Sequence, residues 1–577
     1  MAVSNEEVAA AFKELADLLT ISGGDAFKAR AYEKAARNLG GHPASLCELD
    51  VQELRRIPGV GKAIADKVIE YCRTGTIHAL EQQRAARPVG LLRLVEIPTL
   101  GPKKALTLYH ELGITSVDEL VDAIHAGRLD DLHGFGRKTG ENILHGVEVL
   151  QRDAGRVHLD VAMAAAERIV GALAGVPGCT RCTYAGSLRR CRETIGDVDI
   201  LAASHDPGAL MEALRMLPDV ADVIASGPKK TSIRTTAGLQ VDLRVVPPDS
   251  WGAALQYFTG SKAHNVRART IAVRAGLKLS EYGLFDAKTD ALIASRTEEE
   301  LYERLGLEWV PPPLREDRGE IEAAQAGALP DLIAGSDIRG DLHTHTDLTD
   351  GVAPLREMVQ AAAERGYAYL AITDHAPNLY MQRMTTEKIL AQREQVRRLD
   401  REYSRMHLLH GTELNIDPDG EVDWPEEFLA GFDLCVASVH SNFDQPRAAM
   451  TRRLIRACEN PYINVIGHPS ARLLGRRPAV DADWDEVFKA AARTGTALEI
   501  NGAPDRLDLS DEHIVAARRA GVRFAIDTDA HAVTHLDNMR YGVGTAQRGW
   551  LTADDVINAW PLRRLRTFLR KANPANV

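Results

Sequence analysis

The chain has 577 residues, of which 45% are hydrophobic and 26% charged, with a net charge of −11. That length exceeds one hydrophobic core and implies roughly three to five domains, and the ordinary apolar content argues against long disordered stretches. The acidic balance excludes a generally basic nucleic-acid binder, so any DNA contact has to come from local patches and backbone donors. There is no run of about 18 apolar residues, and the start MAVSNEEVAAAF lacks a basic region followed by an apolar one, which predicts a cytoplasmic protein with no membrane partner. Seven cysteines, an odd count, suggest no disulfide framework. Cys179 and Cys182 form a CxxC without a second pair at zinc-finger spacing, and all seven read as ordinary core or loop thiols.

Residues 1–150 read as short helices with almost no strand signal, as in NEEVAAAFKELADLL, where apolar residues fall at helical spacing behind an Asn cap. One device recurs there as Ile57-Pro-Gly-Val-Gly61, Ile97-Pro-Thr-Leu-Gly101 and Leu132-His-Gly-Phe-Gly136, followed by Lys62, Lys103 and Lys138 respectively. A Gly-bounded turn that opens a helix exposes backbone N–H groups to a phosphate without needing net positive charge. Gly59, Gly61, Gly101, Gly134 and Gly136 would let a DNA backbone come close. Three unrelated capping turns are the alternative, and their repetition at similar spacing argues against it. From about residue 157, β-branched runs (DVDILAA, QVDLRVV) alternate with helical stretches, as in an α/β or α+β sheet domain. The stretch WVPPPLREDRGEIEAAQAG, with three prolines and then polar, Ala/Gly-rich sequence, reads as a linker near 310–337. Beyond it, short apolar runs ending in polar clusters (YLAITDH, LCVASVH, INVIGH, ALEIN, RFAIDTDAH) alternate with helices, the rhythm of a βα barrel with its chemistry at strand C-termini.

The segment 186–199 reads Gly-Ser-Leu-Arg-Arg-Cys-Arg-Glu-Thr-Ile-Gly-Asp-Val-Asp. On a strand Asp197 and Asp199 share a face, and Asp242 stands in a second strand-like run, Gln-Val-Asp-Leu-Arg-Val-Val. Three converging carboxylates can hold two divalent cations about 3.5–4 Å apart for phosphoryl transfer. Gly186 and Ser187 form a turn able to donate to phosphate oxygens, with Arg190 as a charged clamp.

Taken together, GS-LRR through GDVD (including Gly196) and then VDLR resemble the palm of DNA polymerase beta and its relatives, the family X polymerases. The resemblance covers about residues 5–315 and continues in Tyr257-Phe-Thr-Gly-Ser261, the family's segment beside the incoming nucleotide. It implies that Tyr257 and Phe258 contact the sugar and act against ribonucleotides, that Gly260 lines the nucleotide site, and that Asn265 and Arg269 contact nucleotide and template minor groove. It also implies Mg²⁺ or Mn²⁺ at the palm, deoxynucleoside triphosphates as substrates and gapped or nicked DNA as partner. The first hairpin region resembles the family's lyase domain, with Lys67 at the Schiff-base position and Lys28 and Lys34 where a 5′-phosphate is gripped. Phe27 and Ala63 depart from the family's polar or basic pattern, which puts lyase activity in doubt.

A second constellation opens with Asp341-Leu-His-Thr-His345, in which His343 and His345 alternate on one strand face as co-ligands would. Asp350, His375, Glu413, His440, His468, Asp529 and His531 follow, most of them just after an apolar run, so a barrel would bring them to one end. The ordered set resembles the polymerase and histidinol phosphatase (PHP) domain, a distorted (β/α)₇ barrel, and no ligand of that family is missing. The resemblance implies up to three Mn²⁺ or Zn²⁺ ions and phosphoester hydrolysis. The basic run Arg472-Leu-Leu-Gly-Arg-Arg477 is a candidate phosphate clamp or a merely solvated loop.

The expected architecture is multidomain: an all-α helix-hairpin-helix region, an α/β nucleotidyltransferase palm, a small α+β thumb and the barrel. The expected limits are 1–85 (lyase-like), 86–152 (fingers), 153–245 (palm), 246–312 (thumb), 313–337 (linker) and 338–577 (barrel). The leading expectation is a short-gap repair polymerase with a 3′→5′ exonuclease in the barrel and, further, cleavage at abasic sites. The alternatives are a histidinol-phosphate-like phosphatase fused to a passive DNA-binding module, and a DNA-end scaffold without turnover. With no heptads or interface stripe, a monomer is expected.

Overall fold

The computed structural model describes residues 5–571 except 22–24, 41, 43, 58, 86–92, 96, 98–99, 131, 133–134, 137–138, 145, 148–154 and 380–383. Helices Asn5–Ile21, Ala26–Gly40, Lys62–Thr74 and His78–Ala85 close over a core containing Phe12, Leu15, Leu39, Leu54 and Val68. A separate core of Leu100, Leu108, Leu120 and Phe135 gathers around helices Pro102–Leu112 and Val117–His125. The expectation that all cysteines are free thiols is corrected here, because Cys47 and Cys72 form a disulfide with Cα atoms 5.4 Å apart. The short turn Leu46–Glu48 packs on helix Lys62–Thr74 and brings them together, a long-range contact that a cysteine count cannot register.

The next unit is built on β1 (Val157–His158), β2 (Arg181–Tyr184), β3 (Thr194–Ile195), β4 (Asp197–Ala203), β5 (Val220–Ser226), β6 (Lys230–Thr235) and β7 (Gln240–Val246). β1 pairs with β3, and the others form a mixed sheet in the order β2-β4-β7-β6-β5 in which β4 and β7 run parallel. Strand alternation divides β4 between two cores: Val198, Ile200 and Ala202 pack with helices Leu159–Ala174 and Pro207–Arg215, while Leu201 and Ala203 pack under Trp251 and Ala254. Asp197 and Asp199 belong to the second set, on the face covered by helix Trp251–Thr259.

A small antiparallel sheet, β8 (Leu277–Ser280), β9 (Gly283–Asp286) and β10 (Leu292–Ala294), follows with helices Lys262–Arg274 and Glu298–Arg304. The expected linker at 310–337 is corrected at its front half, which is folded into this unit. Leu314, Ile321 and Ala324 join its core, and helix Glu320–Ala326 packs on helix Lys262–Arg274. Its polarity reads as a loop because its charges find buried partners. Arg315, fully buried, pairs with Glu298 at 2.7 Å, and Glu320 meets His264 at 2.8 Å, which in turn meets the Tyr302 hydroxyl at 2.7 Å.

The last unit carries β11 (Gly340–Asp341), β12 (Tyr369–Ile372), β13 (His407–Asn415), β14 (Leu434–Ser438), β15 (Val465–Ile466), β16 (Ala497–Asn501) and β17 (Phe524–Asp527), all parallel and paired in chain order. The ring closes toward the strand C-termini, where Thr344 bridges Ala530 and the His345 N–H donates to the Ala530 carbonyl at 2.8 Å. Its lower interior is filled by Tyr369, Ala371, Leu409, Val436, Val465, Ala497 and Ala525, so polar interior positions are confined to the upper end. Among the described residues no helix is long and apolar enough to cross a membrane.

Glu298 receives both Arg189 terminal nitrogens at 2.9 Å in addition to Arg315 and the Trp309 indole. Burial alone would raise its carboxyl, but Arg315 and Arg189 outweigh burial and hold it at about 2. Its stabilising contribution is therefore full above the ordinary carboxylate range near 4.5 and fades as pH falls toward 2. Glu298→Gln strands a buried guanidinium and is expected to destabilise the protein by ~3–5 kcal/mol at neutral pH. Denaturant midpoints of the two proteins should converge as the pH is lowered through that window.

Two candidate metal centres

In the mixed sheet, the parallel register sets Asp199 beside Asp242 and Asp197 beside Gln240. Burial, then the neighbouring Asp197 and Asp242, push the Asp199 carboxyl up to about 6. Asp242 goes the other way: burial is outweighed by Lys230, 2.6 Å away on β6, with Ser232 and Gln240, and its carboxyl is lowered. Three clustered carboxylates with one ammonium are an oxygen donor set suited to Mg²⁺ or Mn²⁺. Gly186 opens the turn beside them at φ +61°, and a Cβ there would lie 2.4 Å from Asp199 Oδ2, so only glycine lets that carboxylate stand where it does.

The surrounding residues separate into those poised at the acids and those already engaged. Ser187 follows Gly186 in the same turn, half-buried, and Gly196 lies against Arg156. Tyr257 and Phe258 end helix Trp251–Thr259 with Arg269 over the first ring at 5.8 Å and Arg244 over the second at 4.5 Å. Arg190, expected to grip a phosphate, instead donates to the Thr259 carbonyl at 2.5 Å and pairs with Glu316 at 3.1 Å, close against Gly260. Asn265 is buried and binds Gln256 at 2.8 Å and the Tyr257 carbonyl at 2.7 Å, so its side chain braces the tyrosine.

In the helical region Gly61 and Gly101 are exposed N-caps without a side-chain cap, each with open space around a would-be Cβ, and Gly136 is similarly open. Their helices thus present uncapped N–H groups outward. Lys62 and Lys103 are exposed beside them. Gly59 takes φ +80° with the Lys34 stem 3.3 Å from a would-be Cβ, and Lys28 is exposed on the same helix as Lys34. Lys67 is half-buried and donates to the Ala63 carbonyl of its own helix at 3.4 Å. Gly134 and Lys138 lie outside the described residues.

All nine barrel donors converge. His345, Asp350, His375 and His531 form one group, His343, His345 and Asp529 a second, and His375, Glu413 and His440 a third; within each, ligand atoms lie inside 4.8 Å of one another. His468 joins through Glu413 at 3.1 Å. His343 Nε2, both His345 nitrogens and His468 Nδ1 are buried and make no hydrogen bond among the described residues. His375 Nδ1 and Glu413 Oε2 come within 2.8 Å without hydrogen-bond geometry. Nitrogen and oxygen donors that converge without bonding one another fit shared cations rather than a hydrogen-bonded core. Two of the three groups contain His with one carboxylate, a donor set that suits Mn²⁺ or Zn²⁺.

Several supporting residues escaped the sequence reading. Glu499 accepts from His343 Nδ1 at 2.6 Å and from the His468 N–H, Asn415 meets His440 Nδ1 at 2.7 Å, and Asn501 donates to Asp529 at 3.2 Å. Asp374 accepts from Thr346, Thr349 and Gln392 and so fixes the loop that presents Asp350. The signal available was the polar alternation of ALEIN, in which Glu499 and Asn501 interrupt an otherwise apolar strand. The basic run also behaves differently from expectation. Arg472 pairs with Glu193 at 2.8 Å and Arg477 donates to the Ala471 carbonyl at 2.7 Å beneath the Phe443 ring.

Comparison with known proteins places these centres. Residues 3–77 match a helix-hairpin-helix domain, 91–147 a SAM-like helix-hairpin-helix tandem, 254–316 the DNA polymerase beta thumb and 341–503 the PHP domain. A Bacillus subtilis (strain 168) protein named DNA polymerase/3'-5' exonuclease PolX is 36% identical over 560 residues, 96% of this chain and 98% of that protein. The chain belongs to the family X DNA polymerases. DNA polymerase lambda of Rattus norvegicus is 28% identical over 322 residues, 51% of this chain and 53% of its own. A probable phosphatase of Thermoanaerobacter sp. (strain X514) is 27% identical over 243 residues, 40% of this chain and 94% of its own. This family X chain is thus similar to polymerases along its front part and, through its barrel, to proteins named as phosphatases.

Two substitutions probe the centres. Gly186→Ala drives a methyl into Asp199 at a left-handed backbone position, which costs ~1–2 kcal/mol in backbone alone. It is expected to lower primer extension at least about tenfold while metal content of the barrel is unchanged. Glu499→Gln loosens His343 and should weaken metal binding about 10–100-fold, read by equilibrium dialysis against Mn²⁺.

Proposed function

We propose that this family X polymerase fills short gaps in DNA during repair, and that its barrel removes 3′-terminal nucleotides as a Mn²⁺-dependent 3′→5′ exonuclease that also cuts at abasic sites. A DNA polymerase and a 3′→5′ exonuclease in one chain is the coarser part of that reading and follows from the family and its named relative. The observation that carries the proposal is that two complete donor sets, three carboxylates in the sheet and nine His/Asp/Glu in the barrel, stand in one chain with DNA-backbone hairpins ahead of them.

In this reading Asp197, Asp199 and Asp242 hold two divalent cations, which lower the cost of ionising the primer 3′-hydroxyl and neutralise the triphosphate. The Gly186–Ser187 turn donates to phosphate oxygens, and Tyr257, braced by Asn265, lies against the sugar with Phe258. The exposed N–H groups at Gly61 and Gly101 hold the duplex by its backbone, independent of sequence. His343, His345, Asp350, His375, Glu413, His440, His468, Asp529 and His531 hold up to three cations that supply a hydroxide and polarise the phosphodiester.

A second reading, a small-molecule phosphatase tethered to a DNA-binding part, is favoured by the match of the barrel to nearly the whole length of a probable phosphatase. The two are separated by a 5′-labelled primer in a one-nucleotide-gap duplex with Mn²⁺, alongside histidinol phosphate. Asp197→Ala with Asp199→Ala is expected to abolish lengthening and keep shortening, and His343→Ala with His345→Ala the reverse. Surviving extension in the first variant overturns the palm assignment. Strong preference for histidinol phosphate over the primer overturns the exonuclease.

A further inference from the structure

One cation enters the barrel site without being one of its donors. Arg506 lies in the loop after β16, and that loop is held at both ends: the Asn501 N–H donates to the Asp508 carbonyl at 2.5 Å, and Leu507 is buried in the core of the mixed sheet. The Arg506 carbonyl is taken by Arg472 Nε at 3.0 Å, so the main chain is fixed independently of the side chain. The guanidinium turns inward, with Nε 3.6 Å from Asp529 Oδ2. That is an ion pair at long range and no hydrogen bond, since Oδ2 already accepts from Asn501 at 3.2 Å while Oδ1 faces His345 at 3.2 Å. Nη1 is buried and has no hydrogen-bond partner among the described residues.

A guanidinium presents five donors in a planar fork matched to carboxylate and phosphate oxygens, and a buried donor left unmatched is costly. Nearby acceptors are engaged elsewhere: Asp508 Oδ1 takes the Ser470 hydroxyl at 2.8 Å, and Asp529 serves the imidazoles. The other arginines of this rim are occupied as well, Arg472 on Glu193 and Arg477 on the Ala471 carbonyl. A fixed, inward-facing fork with a spare buried donor, at the wall of a cavity lined by cation ligands, is suited to an anion brought in from outside.

We propose that Arg506 binds a non-bridging oxygen of the scissile phosphodiester in the barrel and holds the charge that builds on it during hydrolysis. The proposal rests on the reading of the barrel as a phosphodiesterase and adds to it the residue that receives the phosphate. The sequence offered Arg472–Arg477 for that role, and Arg506 lies in a loop with no basic run around it.

The test uses the full chain with Arg506→Lys and Arg506→Ala, loaded with Mn²⁺ and assayed for bound metal, primer shortening, primer extension and protection by thymidine 5′-monophosphate. Both variants are expected to keep their metal and their extension rate. The kcat for shortening should fall about a hundredfold or more, with lysine failing to rescue because a point charge cannot reproduce the fork. The rise in melting temperature on adding the monophosphate, measured in the Asp197→Ala, Asp199→Ala background to silence the palm, should disappear. An unchanged shortening rate, full rescue by lysine, or loss of rate in step with loss of metal would each overturn the proposal and leave Arg506 as a charge balance for Asp529. Failure of the parent chain to shorten any primer would overturn the exonuclease reading instead, while the monophosphate shift still reads Arg506 directly.

Discussion

Arg189 and Arg190 leave the same short turn for different partners, and between them they join three parts of the molecule. Arg189 grips Glu298 of the thumb unit through both terminal nitrogens at 2.9 Å. Arg190 reaches the Thr259 carbonyl and Glu316, and Glu316 also receives Arg548 of the barrel at 2.9 Å. Arg548 continues to Asp511 at 2.5 Å, and its other nitrogen donates to the Arg190 carbonyl. Most of these side chains are largely buried, so removing any single member would leave a charge with neither water nor partner. The turn that begins at Gly186 and leads toward the metal-binding acids is therefore held from behind by thumb and barrel together.

The barrel obtains its chemistry from a simple division of its interior. Large and small apolar side chains close the lower end, and the residues two and four positions further along the same strands are polar. On β16 this runs Ala497, Glu499, Asn501, and on β13 Leu409, Glu413, Asn415. Polar groups raised above an apolar plug have no water to bind from below, so they bind each other and whatever cations they enclose. Glu499 illustrates the consequence: it orients the His343 ring through Nδ1 and leaves Nε2 as the free donor.

Legibility in the sequence followed the range of the interactions. The three palm acids and nine barrel donors could be read because each is fixed by its own strand: alternation puts Asp197 with Asp199, and a strand end puts His375 or Asp529 at the rim. The helical front part was equally visible from its periodicity and glycine turns. What stayed hidden depends on partners far along the chain. The stretch after Val310 looked like a linker since nothing local reveals that Arg315 will meet Glu298 or Glu320 will meet His264. Cys47 and Cys72 pair across 25 residues, and Arg190, the expected phosphate clamp, is claimed by Glu316, 126 positions away. Arg506 gave no signal, because one arginine in a polar loop is ordinarily solvated.

The same long-range contacts bear on how two activities share one chain. Leu507 and the half-buried Leu474 and Tyr541, all from the barrel, pack into the core of the mixed sheet, and Arg472 and Arg540 add ion pairs to Glu193 and Glu167. Apolar burial of this kind is continuous with a domain core and unlike a polar, transient contact. The loop that carries Leu507 into the palm carries Arg506 into the barrel site one residue earlier, so the interface and the lining of the second centre are set by the same few peptide units. A hinge at this interface would displace the guanidinium from Asp529 as it opened. The two centres are accordingly best understood as sites on one rigid frame, with the DNA end as the element that moves between them.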